Sequence, residues 1–81
     1  NDDLKDSKTK LQEILQSYNY DLPEYQTVEV NSNNKISFKT LCIIEKYSIC
    51  EEGHGSNKRK SQQEAAKKTL KEISKIINKD E

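Results

Sequence analysis

The stretch Gly53-His54-Gly55-Ser56-Asn57-Lys58-Arg59-Lys60-Ser61-Gln62-Gln63-Glu64-Ala65-Ala66-Lys67-Lys68-Thr69-Leu70 decides the fold. The Gly-x-Gly unit reads as a chain break, and Asn57 or Ser56 supplies the side-chain oxygen that caps a helix. From there Ala66, Leu70, Ile73 and Ile77 recur at i, i+4, i+7 and i+11, one apolar stripe through about five turns. Ala65 and Ala66 are small enough to let such a helix approach a sheet closely. Lys58, Arg59 and Lys60 stand in the first turn, where the helix dipole disfavours each cation by a few tenths to about 1 kcal/mol. Something anionic should compensate. A helix N-terminus with free N–H groups and added cations is a phosphate site, and the two glycines would let the backbone come close. Many basic runs are only solvated faces, but this one occupies the disfavoured end of a helix.

Upstream of the glycines the period is that of strands. Residues 47–52 read as a strand that Gly53-His54-Gly55 breaks, paired as a hairpin with residues 36–44. In the latter, Phe38, Thr40, Cys42 and Ile44 point one way, and Lys39, Leu41, Ile43 and Glu45 the other. Leu41 and Ile43 are apolar for a face expected to meet solvent, which suits a contact with another domain or subunit, or scattered surface residues. Tyr25, Thr27, Val28 and Val30 mark a first strand from Glu24, and residues 31–34 a polar loop. Ahead of it, Ser7 or Asp6 can cap a helix with Leu11, Ile14, Leu15 and Tyr18 on one stripe, ended by Asn19 to Pro23. The order α-β-β-β-α gives an α+β domain, a three-stranded antiparallel sheet with two helices packed on one face. Residues 1–6 read as linker or frayed N-terminus, 7–77 as the domain and 78–81 as a C-terminal tail.

The chain has 81 residues, room for a single core, and begins at Asn1 with no Met, so it reads as a segment of a longer protein. No apolar run is long enough to span a bilayer and no signal pattern opens the chain. Formal net charge is zero, yet residues 1–52 hold six Lys against ten acidic residues and residues 53–81 hold eight Lys and Arg against four. Positive charge is therefore segregated toward the last helix. Cys42 and Cys50 with the single His54 cannot complete a four-ligand zinc site unless a carboxylate or a second chain contributes. Flanking a turn centred near Lys46, the cysteines could face each other across two strands, though two reduced thiols packing as small apolar residues is the simpler reading. His54 has no Cys, Asp or paired carboxylate nearby in sequence to make it a nucleophile or general base, so no catalytic residue is expected in this chain.

Residues 53–66 resemble the double-stranded RNA-binding domain, whose second helix opens Gly-x-Gly-x-Ser-Lys-Lys-x-Ala-Lys-x-x-Ala-Ala. Gly53 and Gly55 match the glycines, Asn57 replaces the Ser cap, and Lys58 and Arg59 match the Lys pair. Ser61 stands for the Ala, Gln62 for the third basic residue, and Ala65 and Ala66 for the alanine pair. The opening Lys8-Thr9-Lys10-Leu11-Gln12-Glu13, followed by Leu22-Pro23-Glu24-Tyr25, is similar to the start of the C-terminal domain of bacterial ribonuclease III. The likeness runs from about Ser7 to Ile76.

The resemblance implies binding to duplex RNA by shape, two minor-groove contacts bracketing one phosphate contact. Thr9, Gln12, Glu13 and Gln16 on the first helix would meet 2′-hydroxyls, which both donate and accept. Lys58 and Arg59, with Gln62 one turn later, would face the phosphates, while Lys60 points elsewhere. The loop 31–35 would enter the second minor groove. It departs from the family's Gly-x-x-His pattern, is one residue shorter and holds no His, so Asn34 or Lys35 must substitute. The four tyrosines are assigned to core or rim packing. The resemblance further implies a parent ribonuclease III, a homodimeric cytoplasmic endonuclease whose separate domain holds a divalent metal such as magnesium. This domain would need no cofactor, be monomeric in isolation and position substrate. The alternative is a domain of the same fold that serves protein interaction or dimerisation and binds RNA weakly or not at all.

Overall fold

The computed structural model describes residues 6–80, with side chains through residue 77. Asp6 starts the fold: its carboxylate accepts hydrogen bonds from the backbone N–H groups of Lys8 (2.9 Å) and Thr9 (3.3 Å) and so caps α1 (Ser7–Ser17). Of the two candidate caps the structure uses Asp6, a residue that sequence alone placed in the linker. The carboxylate also accepts from Gln63 Nε2, while Gln63 Oε1 accepts the N–H of Ser7 at 2.7 Å. The bond from Gln63, with those from Thr9 and Lys8 and the nearby Arg59 charge, outweighs burial and holds the Asp6 carboxyl below the ordinary aspartate range. At the other end, Asn19 takes φ 60, which Asn tolerates. The N–H of Tyr20 then reaches Leu15 O (2.8 Å) and that of Asn19 reaches Gln16 O (3.0 Å), closing a Schellman turn.

Three antiparallel strands follow in the order β1 (Glu24–Ser32), β2 (Lys35–Ile44), β3 (Ile49–Gly55), and then α2 (Lys58–Asp80). Thr40, Cys42 and Ile44 of β2 are buried against Leu11, Leu15, Ala65, Ala66 and Ile73, so both helices cover one face, as the alternation in β2 predicts. Phe38 on that face is only half-buried, and Leu41 and Ile43 are half-buried on the opposite one. Tyr25 reaches under the helices from β1. Its hydroxyl is buried without a hydrogen bond beside the Cys42 thiol, and burial raises the pKa of both groups. α2 carries on past Ile77, where a tail was expected, to Asp80.

Three expectations need correction. The polar loop over residues 31–34 is a two-residue turn: Asn31 and Ser32 belong to β1, Ser32 pairs with Lys35, and only Asn33 (φ 51) and Asn34 (φ 65) lie between. Two left-handed residues make a type I′ hairpin, whose twist suits the flanking strands and which Asn enters at small cost. The glycines do not break the third strand, which begins at Ile49 and includes them. Neither has positive φ; their need is for space. A Cβ on Gly53 would collide with the backbone N of Ala65 and O of Ser61, and one on Gly55 would stand 2.5 Å from Ser61 N. The closeness they permit is between β3 and α2. Finally, the cysteines do not face each other. The β2–β3 turn has four residues, a 3-10 turn Glu45–Tyr47 plus Ser48 at φ 54, so Cys42 pairs with Glu51 and Cys50 with Ile43. A shift of one residue sends Cys42 into the core and leaves Cys50 on the outer face, both as free thiols.

Gly53→Ala is expected to lower stability by about 2 kcal/mol or more, because backbone on both sides must move; a urea midpoint equal to the parent's would refute the close approach. Asp6, whose folded pKa lies below its unfolded one, contributes stability that is present above about pH 4 and lost as pH falls through the folded value. The stability gap between the parent and Asp6→Asn should therefore narrow from pH 7 to pH 2, and a gap independent of pH in urea titrations would rule the contribution out.

Candidate nucleic-acid interface

On α1, Thr9, Gln12, Glu13 and Gln16 are all exposed. At about 100° per residue they share an arc of about 100° turned away from the buried pair Leu11 and Leu15. The strip is polar along its length, with Gln amides that can both donate and accept.

At the tip of α2, the Asn57 side chain accepts the N–H of Lys60 (2.8 Å) and its carbonyl accepts that of Ser61 (3.1 Å), so Asn57 rather than Ser56 is the cap. Lys58 and Arg59 are exposed just behind it, and no acidic residue occupies the first turn to offset them. By helical spacing Lys60 shares a face with Glu64, Lys67 and Lys71, all exposed. Glu64 on that face accepts the backbone N–H of His54 (2.6 Å), tying the Gly53–Gly55 segment to the helix. The His54 ring pairs with Glu52 (2.6 Å), and no three metal-ligating side chains converge among the described residues.

Gln62 was expected to face outward with the cations. Instead it is half-buried and spent inside the molecule: Lys8 Nζ donates to its Oε1 (2.9 Å) and its Nε2 donates to Thr27 Oγ1 (3.0 Å). From Thr27 a bond of 2.9 Å leads to Thr40 and one of 2.7 Å to Ser61, whose hydroxyl donates to Lys58 O (2.8 Å). Each hydroxyl has one proton, so the last bond fixes the direction of the rest: Gln62 to Thr27 to Thr40 to Ser61 to the Lys58 carbonyl. Lys8, which sequence reasoning passed over, also lies over the Tyr25 ring, 5.0 Å from its centre. No local signal could have exposed these bonds, since Lys8 and Gln62 are 54 residues apart.

Asn34 and Lys35 are exposed at the hairpin tip. Pairing between β2 and β3 ends at Phe38 and Gly55, so the hairpin runs on as a two-stranded ribbon. An open groove lined by Ser32, Lys35, Ile36, His54 and Ser56 separates it from the entry to α2. α1 is thus bonded to the start of α2 through Gln62 and Gln63, and the hairpin lies across a groove from Ser56, two residues before Lys58.

Among known proteins, the family model described as double-stranded RNA binding motif matches residues 7–73. Proteins called Ribonuclease 3 are similar to the chain: that of Legionella pneumophila (strain Lens) is 42% identical over 71 residues, 86% of this chain and 32% of the relative. That of Nitrosomonas eutropha is 41% identical over 68 residues, 83% of this chain and 28% of the relative. The chain spans about a third of the length of these relatives. Its fold is that of the solution structure of both dsRBDs of DRB4 with their linker, at a TM-score of 0.70 and 24% identity, covering 93% of this chain and 48% of that one.

Proposed function

Since the chain belongs to the double-stranded RNA binding motif family, we propose that it binds duplex RNA by shape and presents it to the nuclease part of a longer ribonuclease III. A-form RNA offers a wide shallow minor groove lined by 2′-hydroxyls and a deep narrow major groove edged by phosphates, so a protein reads its outline and not its sequence. The observation that carries the reading is that α1 is bonded to Gln62 and Gln63, one turn after Lys58 and Arg59, while a groove reaching Ser56 separates the hairpin from the same end of α2. In this reading Thr9, Gln12, Glu13 and Gln16 meet one minor groove, Lys58 and Arg59 the intervening phosphates, and Asn34 with Lys35 the next minor groove. Gln62 supports the tip from within. The parent would be a metal-dependent endonuclease of the cytoplasm, its metal held by acidic residues outside this domain. Among the described residues no helix is long and apolar enough to cross a membrane.

The second reading, a protein-interaction module, is favoured by the open sheet face, where Val28 is 51% exposed beside half-buried Leu41. Titration decides between them. Lys58→Ala combined with Arg59→Ala should weaken binding to any RNA duplex and lower the slope of log affinity against log salt by roughly 0.7 to 0.9 per lost phosphate contact. Undiminished affinity and slope would remove the phosphate assignment, and a concentration-dependent dimer indifferent to duplex RNA would establish the second reading. Gln12→Leu should leave that slope unchanged and reduce the preference for RNA over DNA duplex by about fivefold, the worth of one hydrogen bond. An unchanged RNA-to-DNA ratio would take α1 out of the interface.

A further inference from the structure

We infer that Gln63, acting with Asp6, is a positioning residue for duplex recognition: it holds the N-terminal half of α1 in register with the cationic tip of α2. The inference rests on the proposed RNA reading and deepens it. The apolar anchors of α1 are Leu11, Leu15 and half-buried Ile14, all in its later turns. Ser7, Lys8, Thr9 and Lys10 offer no apolar side chain, so the turn that carries Thr9 and leads to Gln12 is held by polar contacts.

Gln63 supplies those contacts from the neighbouring helix. Its Oε1 accepts the N–H of Ser7 at 2.7 Å and that of Lys8 at 3.4 Å, and its Nε2 donates to the same Asp6 oxygen that accepts Lys8 and Thr9. A single carboxamide thus closes the cap of α1 and satisfies N–H groups that the helix cannot satisfy itself. Gln63 lies four residues after Arg59, on the same side of α2, so the bond ties α1 to the turn that bears the cations. Lys8 bonding Gln62 adds a second tie one residue away, but a flexible ammonium is the looser of the two. Leu11 and Leu15 seat the later turns of α1 in the core beside Ala65 and Ala66, but the first turn, with exposed Thr9, has no such packing and depends on these bonds. Without Gln63, Lys58 and Arg59 still attract a duplex, but the 2′-hydroxyl contacts of α1 fall out of step with them.

The test compares Kd for an RNA duplex and a DNA duplex of the same sequence, about 20 base pairs and so longer than the roughly 16 that such a domain spans. The proteins are the full chain, Gln63→Ala, and the exchanged pair Asp6→Asn with Gln63→Glu. In the exchanged pair the new carboxamide at position 6 still caps α1, since Asn caps as well as Asp, and donates to the new carboxylate. Gln63→Ala should lose about tenfold in RNA affinity and about twofold or less for DNA, with the salt slope unchanged, while the exchanged pair restores RNA binding to within about threefold of the parent. Equal losses for RNA and DNA would mean a smaller folded fraction and overturn the inference, as would an exchanged pair no better than Gln63→Ala. A parent that binds neither duplex would fell the RNA reading itself. A parent that prefers RNA, with a Gln63→Ala variant that keeps the preference, would fell only this inference.

Discussion

The close seating of α2 on β3 governs the rest of the molecule. With no side chain at Gly53 and only Ser61 and Ala65 opposite, the helix comes down until backbone nearly meets backbone. Across that seam Thr40 and Ser61 meet through their hydroxyls at 2.7 Å, both fully buried. A buried hydroxyl must be satisfied or it costs about 1 to 3 kcal/mol, and the chain of bonds through Thr27, Gln62 and the Lys58 carbonyl satisfies them. The core consequently has two characters. Its far end is aliphatic and aromatic, with Leu15, Ile44, Ile49 and Ile73 and the half-buried Tyr20 and Tyr47 in ring contact. The end beneath the cations is held by hydrogen bonds.

Much of this was legible in the sequence wherever period or turn chemistry acts over short range. The stripes Leu11–Leu15 and Ala66–Ile73, the alternation of Thr40, Cys42 and Ile44, and the Asn57 cap all follow from local spacing. What was misread depended on register or on distant partners. Asn33-Asn34 carries a hairpin signal, but the polar residues beside it masked where the strands end. The cysteine pairing turned on whether the turn at residues 45–48 holds an odd or even number of residues, and one residue moves a side chain to the other face. Gln62 occupies a position where the family has a cation, and position alone suggested an outward role. Its partners Lys8 and Thr27 lie on elements remote in sequence, so its inward turn becomes visible only when those elements are assembled.

Zero net charge is compatible with a nucleic-acid partner because the charges are segregated along the chain, with eight Lys and Arg against four acidic residues in 53–81. Glu52 pairs with His54, Glu72 with Lys75, and Glu64 accepts a backbone N–H, so these surface carboxylates already have partners. Lys58 and Arg59 have no acidic neighbour within their own turn. Asp6 comes near Arg59, yet its carboxylate is already committed to the cap of α1 and to Gln63. The cations of the tip therefore keep the dipole cost of their position, a cost that a bound phosphate would relieve.

The hairpin and Gln62 together shift where recognition must reside. A two-residue type I′ turn is stiff: both central residues are fixed in the left-handed region and the flanking strands are paired up to the turn, so little order remains to be imposed on binding. Stiffness comes with short reach, and the tip offers amides and one Lys where the family offers a His. With Gln62 internal, the proposed phosphate contacts would fall to two cations, and the strip on α1 would bear a larger share of the discrimination between A-form RNA and other duplexes. That share would depend on the distance from α1 to Lys58 and Arg59, which Leu11 and Leu15 set from the core and the bonds of Gln63 and Gln62 set at the first turn.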